Sequence, residues 1–165
     1  MIDYIDYGAT LCDAPGDMFF KAEDELTDDK DAINKQKELI GRIHAKGAEV
    51  VMSSHVNKYK TAERVLQIAF EHKRRGADIL KIVAHANNME EQLENLKITD
   101  LLRKELGIPF LFLSGGECLI HRRMGIMLGC CMSLCVCELE KGSTNPPPLI
   151  SEQREIRDEF YLLSL

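Results

Sequence analysis

The sequence predicts an α/β protein built on a parallel sheet, and three observations carry that prediction. Short, nearly all-apolar runs recur along the chain, amphipathic stretches of helical length separate them, and glycines close most of those stretches. Fully apolar strands belong to parallel sheets covered by helices, and alternating strand and helix signals define the α/β class. Counted along the chain, the strand-then-helix unit repeats five times.

Residues 2–7 (IDYIDY) alternate apolar and acidic side chains and read as a short strand. Residues 8–29 are rich in Gly, Asp and Glu and resist assignment, although Phe19 and Phe20 indicate some packing. From Lys30 to Lys46, Ile33, Leu39, Ile40 and Ile43 recur at helical spacing and Gly47 marks the stop. His44, near that end, fits solvent or the favourable site for a cation at a helix C-terminus. The run EVVMSSH, residues 49–55, is the next strand. Thr61 to Arg75 is a helix closed by Gly76, with Val65, Ile68 and Ala69 inward and Glu71, Lys73, Arg74 and Arg75 on the wet face.

Ile79 to Ala84 is a strand, Met89 to Leu106 a helix ended by Gly107, and Ile108 to Leu113 another apolar strand leading into Ser114, Gly115 and Gly116. A helix from Glu117 to Leu128 then stops at Gly129, and Met132 to Cys137 reads as the last strand. Pro146, Pro147 and Pro148 rule out regular structure in the following loop. Ser151 is positioned to N-cap a closing helix. No Gly-rich nucleotide loop follows any strand. Two architectures compete: an open doubly wound sheet, favoured by length, and a (β/α)8 barrel. A barrel normally needs about 250 residues, but the polar residues sit at strand C-terminal ends, where barrel active sites are built.

The chain has 165 residues, enough for one domain spanning 1–165 with a real core. Its 45% apolar and 29% charged content is ordinary for a soluble protein. A net charge of -6 argues against a nucleic-acid partner. No run approaches the about 18 apolar residues of a membrane span, and the N-terminus lacks signal-peptide layout, so a cytoplasmic location is expected. Of six cysteines, Cys130, Cys131, Cys135 and Cys137 crowd into one apolar run. That clustering lacks zinc-ligand spacing and reads as a buried strand using cysteine as a small hydrophobe in a reducing compartment.

The chemistry concentrates at Lys81 and His55. Lys81 stands within an apolar strand, sharing a face with Ile79 and Val83. A lysine stripped of water there loses its proton more easily and becomes a nucleophile toward carbonyls. The alternatives are a snorkelling lysine or one paired with an acid. His55 ends the preceding strand and suits general acid–base work near neutral pH, or a structural role. Adjacent parallel strands lie about 4.8 Å apart, so both side chains can meet over one substrate.

The segments VVMSSH and GADILKIVAHANNMEEQLENL, with the later PFLFLSGGECLIHRRMG, together resemble type I 3-dehydroquinate dehydratase. The resemblance runs along essentially the whole chain as the family's last five β/α units. It is most specific around His55 and Lys81. It implies a parallel (β/α) barrel of the TIM type, truncated to about five β/α units. It also implies conversion of the small molecule 3-dehydroquinate to 3-dehydroshikimate through a Lys81 Schiff base, with His55 as general acid and base. No metal and no organic cofactor is implied. Arg122 matches the arginine that binds the substrate carboxylate, with Arg123 the rival one residue on, and Asp6 matches an acidic strand-end position. Ser143 matches a substrate-binding serine of the closing loop.

Three departures accompany the match. The family's first three units, which carry further binding arginines and the glutamate partner of the histidine, have no counterpart. Gly8 replaces a family glutamate, and the closing loop reads STNPPP without its usual glutamine. A five-unit barrel also leaves open edges and an uncovered inner face, which points to a homodimer or other self-association, a complementary fragment, a rearranged fold or an incomplete gene model. Two other functions stand beside the lyase: a catalytically impaired remnant serving as an oligomerisation or interaction module, and an unrelated Schiff-base aldolase.

Overall fold

The parallel arrangement follows from where the apolar runs pair. In a computed structural model describing residues 5, 8–18, 22–56, 58–117, 120–139 and 147–162, four strands form one sheet. They are β1 (Leu11–Pro15), β2 (Glu49–His55), β3 (Ile79–Ala86) and β4 (Phe110–Gly116), in the order β1-β2-β3-β4, all parallel. Helices α1 (Lys30–Ala45), α2 (Ala62–Arg75) and α3 (Met89–Glu105) connect successive strands, and α4 (Ile120–Met124) and α5 (Ile150–Leu162) follow.

Each connecting helix starts on a side-chain cap. Asp29 accepts from the Ala32 amide, Thr61 from Arg64 and Asn88 from Glu91, satisfying donors that the first turn leaves free. Helix α2 ends as expected at Gly76, whose φ of 109° is strained for any side chain. His44, near the end of α1, pairs at 2.7 Å with Asp78, which also accepts from the Val50 amide.

The pleat divides β3 cleanly. Leu80, Ile82, Ala84 and Ala86 are fully buried, while Ile79, Lys81, Val83 and His85 are only half-buried. The buried set packs with Val65, Ile68 and Ala69 of α2, Ile98 and Leu102 of α3, and Phe112 of β4. The other set lines the opposite face of the sheet. Strand side chains alternate between faces, so one buried face forces the other residues outward.

Several expectations change. The strand read over 2–7 falls outside the described residues except at Ile5, which is helical. The first strand is instead LCDAP within the unassigned 8–29 segment. Its Cys12 and Ala14 are buried but Leu11 and Asp13 exposed, an edge strand too short and too small-sided to stand out. The helix expected over 117–128 shrinks to five residues, followed by turns around Gly125 and Gly129. Glycine at both positions weakens a continued helix.

Residues 132–137 form no ladder strand, only an isolated bridge from Val136 to Leu149, so the sheet counts four strands among the described residues. Without a ladder the cysteine run is not uniformly inside. Cys130 is buried, Cys135 half-buried, and Cys131 and Cys137 are exposed. The final helix starts at Ile150, one residue before the expected cap Ser151. Arg75, assigned to the wet face, is buried.

Two histidines are sealed between helices and sheet. His72 hydrogen-bonds the Met52 carbonyl and Ser54 hydroxyl, and burial, reinforced by nearby Arg75, pushes its pKa down to about 3. His121 lies edge-on to Phe112 and bonds Thr99, and burial holds its pKa at about 4. An unfolded histidine protonates near 6.5, so below that pH the unfolded chain binds more protons and stability falls. Each histidine adds a slope of about 1.4 kcal/mol per pH unit down to near its folded value. Urea unfolding at about pH 7, 6 and 5 should give steadily lower midpoints. His72→Gln should flatten that decline relative to the parent chain; an equal decline in both would refute the neutral buried His72.

Candidate active site

The register of the central strands sets the site. Ser53 lies opposite Lys81 and His55 opposite Val83, so Lys81 and His55 project from the same face of neighbouring strands, one pleat apart. Both belong to one face, with His55 at the C-terminal end of β2 and Lys81 deeper, the third residue of β3.

Lys81 is paired with an acid, one of the alternatives its sequence context left open. Its side chain is 16% exposed, and Nζ lies 3.3 Å from Oδ2 of Asp13 on β1. Ser53, between them on β2, donates its hydroxyl to the other oxygen of Asp13. Three adjacent strands thus contribute a carboxylate, a hydroxyl and an amine that hold one another. Asp13 itself is 52% exposed, so water reaches the pair.

His55 is held by a carboxylate from the segment after β1. Nδ1 lies 2.8 Å from Glu25 Oε2, and the His55 amide donates to the same oxygen at 3.0 Å. With Nδ1–H donated to Glu25, the lone pair resides on Nε2, which is free for a substrate proton. The turn presenting Glu25 is strained: Asp24 and Glu25 have φ of 62° and 49°, a conformation that costs about 1–3 kcal/mol per non-glycine residue. Lys60 at 3.0 Å and Arg64 at 2.9 Å bind the buried Asp24 carboxylate and hold the turn in place. A cleft of about 360 Å³ opens beside it, lined by Glu25, His55, Val56, Lys58 and Lys60 among others.

Of the two candidate arginines, Arg123 pairs with Glu152 at 3.5 Å on the surface. Arg122 is half-buried on α4, just past the C-terminal end of β4, and its buried Nε has no hydrogen-bond partner among the described residues. Ser143 and Asp6 lie outside the described residues. The residues that meet Lys81 and His55 are Asp13 and Glu25, neither of which sequence reasoning selected. Recognising LCDAP as a strand would have exposed Asp13; nothing local marks Glu25. His85 was also missed, although the alternation Lys81, Val83, His85 puts it on the same face. Its ring lies against Gly115, where a Cβ would stand 3.3 Å from it, and its buried Nδ1 has no partner among the described residues. Among the described residues no cluster of His, Cys, Asp and Glu is arranged to hold a metal.

Comparison with known proteins gives a consistent picture. Residues 24–158 match the family model described as type I 3-dehydroquinase. The chain is 33% identical over 95 residues to 3-dehydroquinate dehydratase of Alkaliphilus oremlandii, over 56% of this chain and 36% of that protein. Among solved structures, type I 3-dehydroquinate dehydratase of Clostridium difficile, with covalently modified comenic acid, superposes with a TM-score of 0.76 at 19% identity. That match covers 96% of this chain and 58% of the other. 3-Dehydroquinate dehydratase of Geobacillus kaustophilus superposes with a TM-score of 0.73 at 22% identity, covering 94% and 55%. These structures share the α/β fold of the TIM-barrel type. The chain spans little more than half the length of these two solved relatives.

Gly16 lets the chain turn from β1 back across β2 toward Glu25, its amide donating to the Ser53 carbonyl at 2.7 Å. A Cβ there would stand 2.3 Å from the Glu25 carbonyl oxygen, 2.7 Å from His72 Nε2 and 2.9 Å from Ser54 Oγ. Gly16→Ala should therefore cost about 1–3 kcal/mol in urea unfolding through overpacking. A midpoint equal to the parent's would contradict the packing of this segment on β2.

Proposed function

Because the chain belongs to the type I 3-dehydroquinase family, we propose that it dehydrates 3-dehydroquinate to 3-dehydroshikimate through a Schiff base on Lys81. The observation that carries this reading is the placement of Lys81 and the Glu25-held His55 on one face of neighbouring strands. Lys81 passes its ammonium proton to the paired Asp13 carboxylate and adds to the substrate ketone, and loss of water gives an iminium that draws electrons from the adjacent carbon. His55 Nε2 removes the proton from that carbon. The enamine expels the hydroxyl, which takes a proton from His55, and hydrolysis of the imine returns the amine. The balance is substrate to product plus one water, and the lysine itself is the electron sink, so the chemistry calls for no cofactor.

Asp13 and Ser53 position Nζ at the face where the ketone would arrive. Arg122, with a donor lacking a partner among the described residues, is the group we assign to the substrate carboxylate, and Ser143 joins it from the closing loop. This small-molecule chemistry belongs in the cytoplasm. The edge of β1, unpaired among the described residues and with Leu11 42% exposed, favours self-association as a homodimer. The same edge supports a second reading, in which the chain lacks turnover and acts as an assembly module.

Borohydride added with 3-dehydroquinate should leave a reduced adduct on the Lys81 peptide, absent in Lys81→Ala. His55→Ala should still trap substrate but lose about 10²–10⁴-fold in product formation. Full turnover in His55→Ala would remove it as the base. A native chain that traps nothing and sediments as a stable oligomer would favour the assembly module.

A further inference from the structure

Arg75 is the least expected charge in the molecule. Its side chain is 2% exposed near the end of α2, far more buried than an unpaired cation tolerates. Glu71, one turn earlier, supplies the counter-charge at 2.7 Å; Arg74 and then Arg75 hold that carboxyl down at a pKa of about 2 against its own burial. The rest of the guanidinium does not serve its own helix. Nη1 donates to the Gly16 carbonyl at 3.0 Å and to Gln36 Oε1 at 3.2 Å, and Nη2 donates to the Thr27 carbonyl at 2.5 Å. Gln36 in turn donates its amide to the Pro15 carbonyl.

Gly16 directly follows β1, and Thr27 stands two residues beyond Glu25. One planar fork, with Gln36 beside it, therefore binds the chain where it leaves β1 and again where it approaches α1. Between those points the turn at Asp24 and Glu25 occupies its strained conformation. Strain persists only where surrounding contacts over-determine the backbone, and this clamp supplies such contacts from below.

We propose that Arg75, with Gln36, is a positioning residue for His55: by binding the carbonyls of Gly16 and of Thr27, two residues beyond Glu25, it fixes the Glu25 carboxylate against Nδ1, and so selects the imidazole tautomer whose Nε2 faces substrate. The assignment rests on His55 being the base of the proposed dehydration. Arg75 touches no reacting atom and acts through Glu25. Lysine cannot replace it, because a single ammonium lacks the fork that spans two carbonyls and a side-chain amide.

The test reads the tautomer directly, by long-range proton–nitrogen NMR of the imidazoles in the full chain without substrate. In the parent, His55 should carry its proton on Nδ1; in Glu25→Ala that preference should be lost. Arg75→Lys, compared below its own unfolding temperature, should shift His55 the same way as Glu25→Ala. In turnover it should lose about 10²-fold in kcat while borohydride trapping on Lys81 and KM stay near the parent's. Should Arg75→Lys fail to fold, Gln36→Met removes half of the clamp and should move the tautomer part of the way. A folded Arg75→Lys or Gln36→Met that keeps the parent's His55 tautomer overturns the proposal. The NMR readout needs no catalysis, so a chain with the expected tautomers but no imine would sink the dehydratase reading and leave the clamp standing.

Discussion

The parallel register between β2 and β3 is the constraint on which the rest depends. Ser53 faces Lys81 across the ladder, and every later placement follows from that pairing with period two. Slipping one of these strands by a residue would turn all its side chains over, sending either Lys81 or His55 to the helix-covered face. What prevents the slip is the apolar set. Leu80, Ile82, Ala84 and Phe112 are fully or nearly fully removed from water, and no polar set could replace them under α2 and α3. The face that carries Lys81 and His55 is thus specified by the burial of its opposite.

Polar groups near the site are organised by the cost of leaving them unpaired. Lys81, mostly buried, is met by Asp13; His72 by Met52 and Ser54; Arg75 by Glu71, Gln36 and two backbone carbonyls. Each contact satisfies a donor that would otherwise lose its hydration without return. Arg122 Nε and His85 Nδ1 break the pattern. They sit where β3 and β4 end, at the end of the sheet to which His55 also belongs. For Arg122 the absent partner fits a substrate carboxylate, the role assigned to it above.

Legibility in the sequence tracked the range of the interactions involved. Helices α1, α2 and α3 were readable almost to the residue, because Asp29, Thr61, Asn88 and Gly76 act on neighbours within a turn. Strands β2 and β3 were readable because their apolar runs need no outside reference. Strand β1 was not: Cys12 and Ala14 are small, and Leu11 and Asp13 face out, so its signal lies in pairing with β2 rather than in its own composition. The stretch 132–137 failed in the opposite way. It has strand-like composition, but among the described residues it has no ladder to join, and cysteines expected inside are partly outside.

By itself the sequence determined the α/β class, the order of its main elements, and the placement of His55 and Lys81 on adjoining strands. Those are consequences of local periodicity, since alternation along a strand and spacing along a helix are properties of a few consecutive residues. Tertiary structure alone decided what holds them. Asp13 reaches Lys81 across 68 positions, Glu25 reaches His55 across 30, and Arg75 reaches Gly16 across 59. Contacts at such separations are set by which surfaces the core forces together, and no pattern within a single segment encodes them. The same long-range packing made Arg75, wet by its neighbours in sequence, one of the driest charges in the protein.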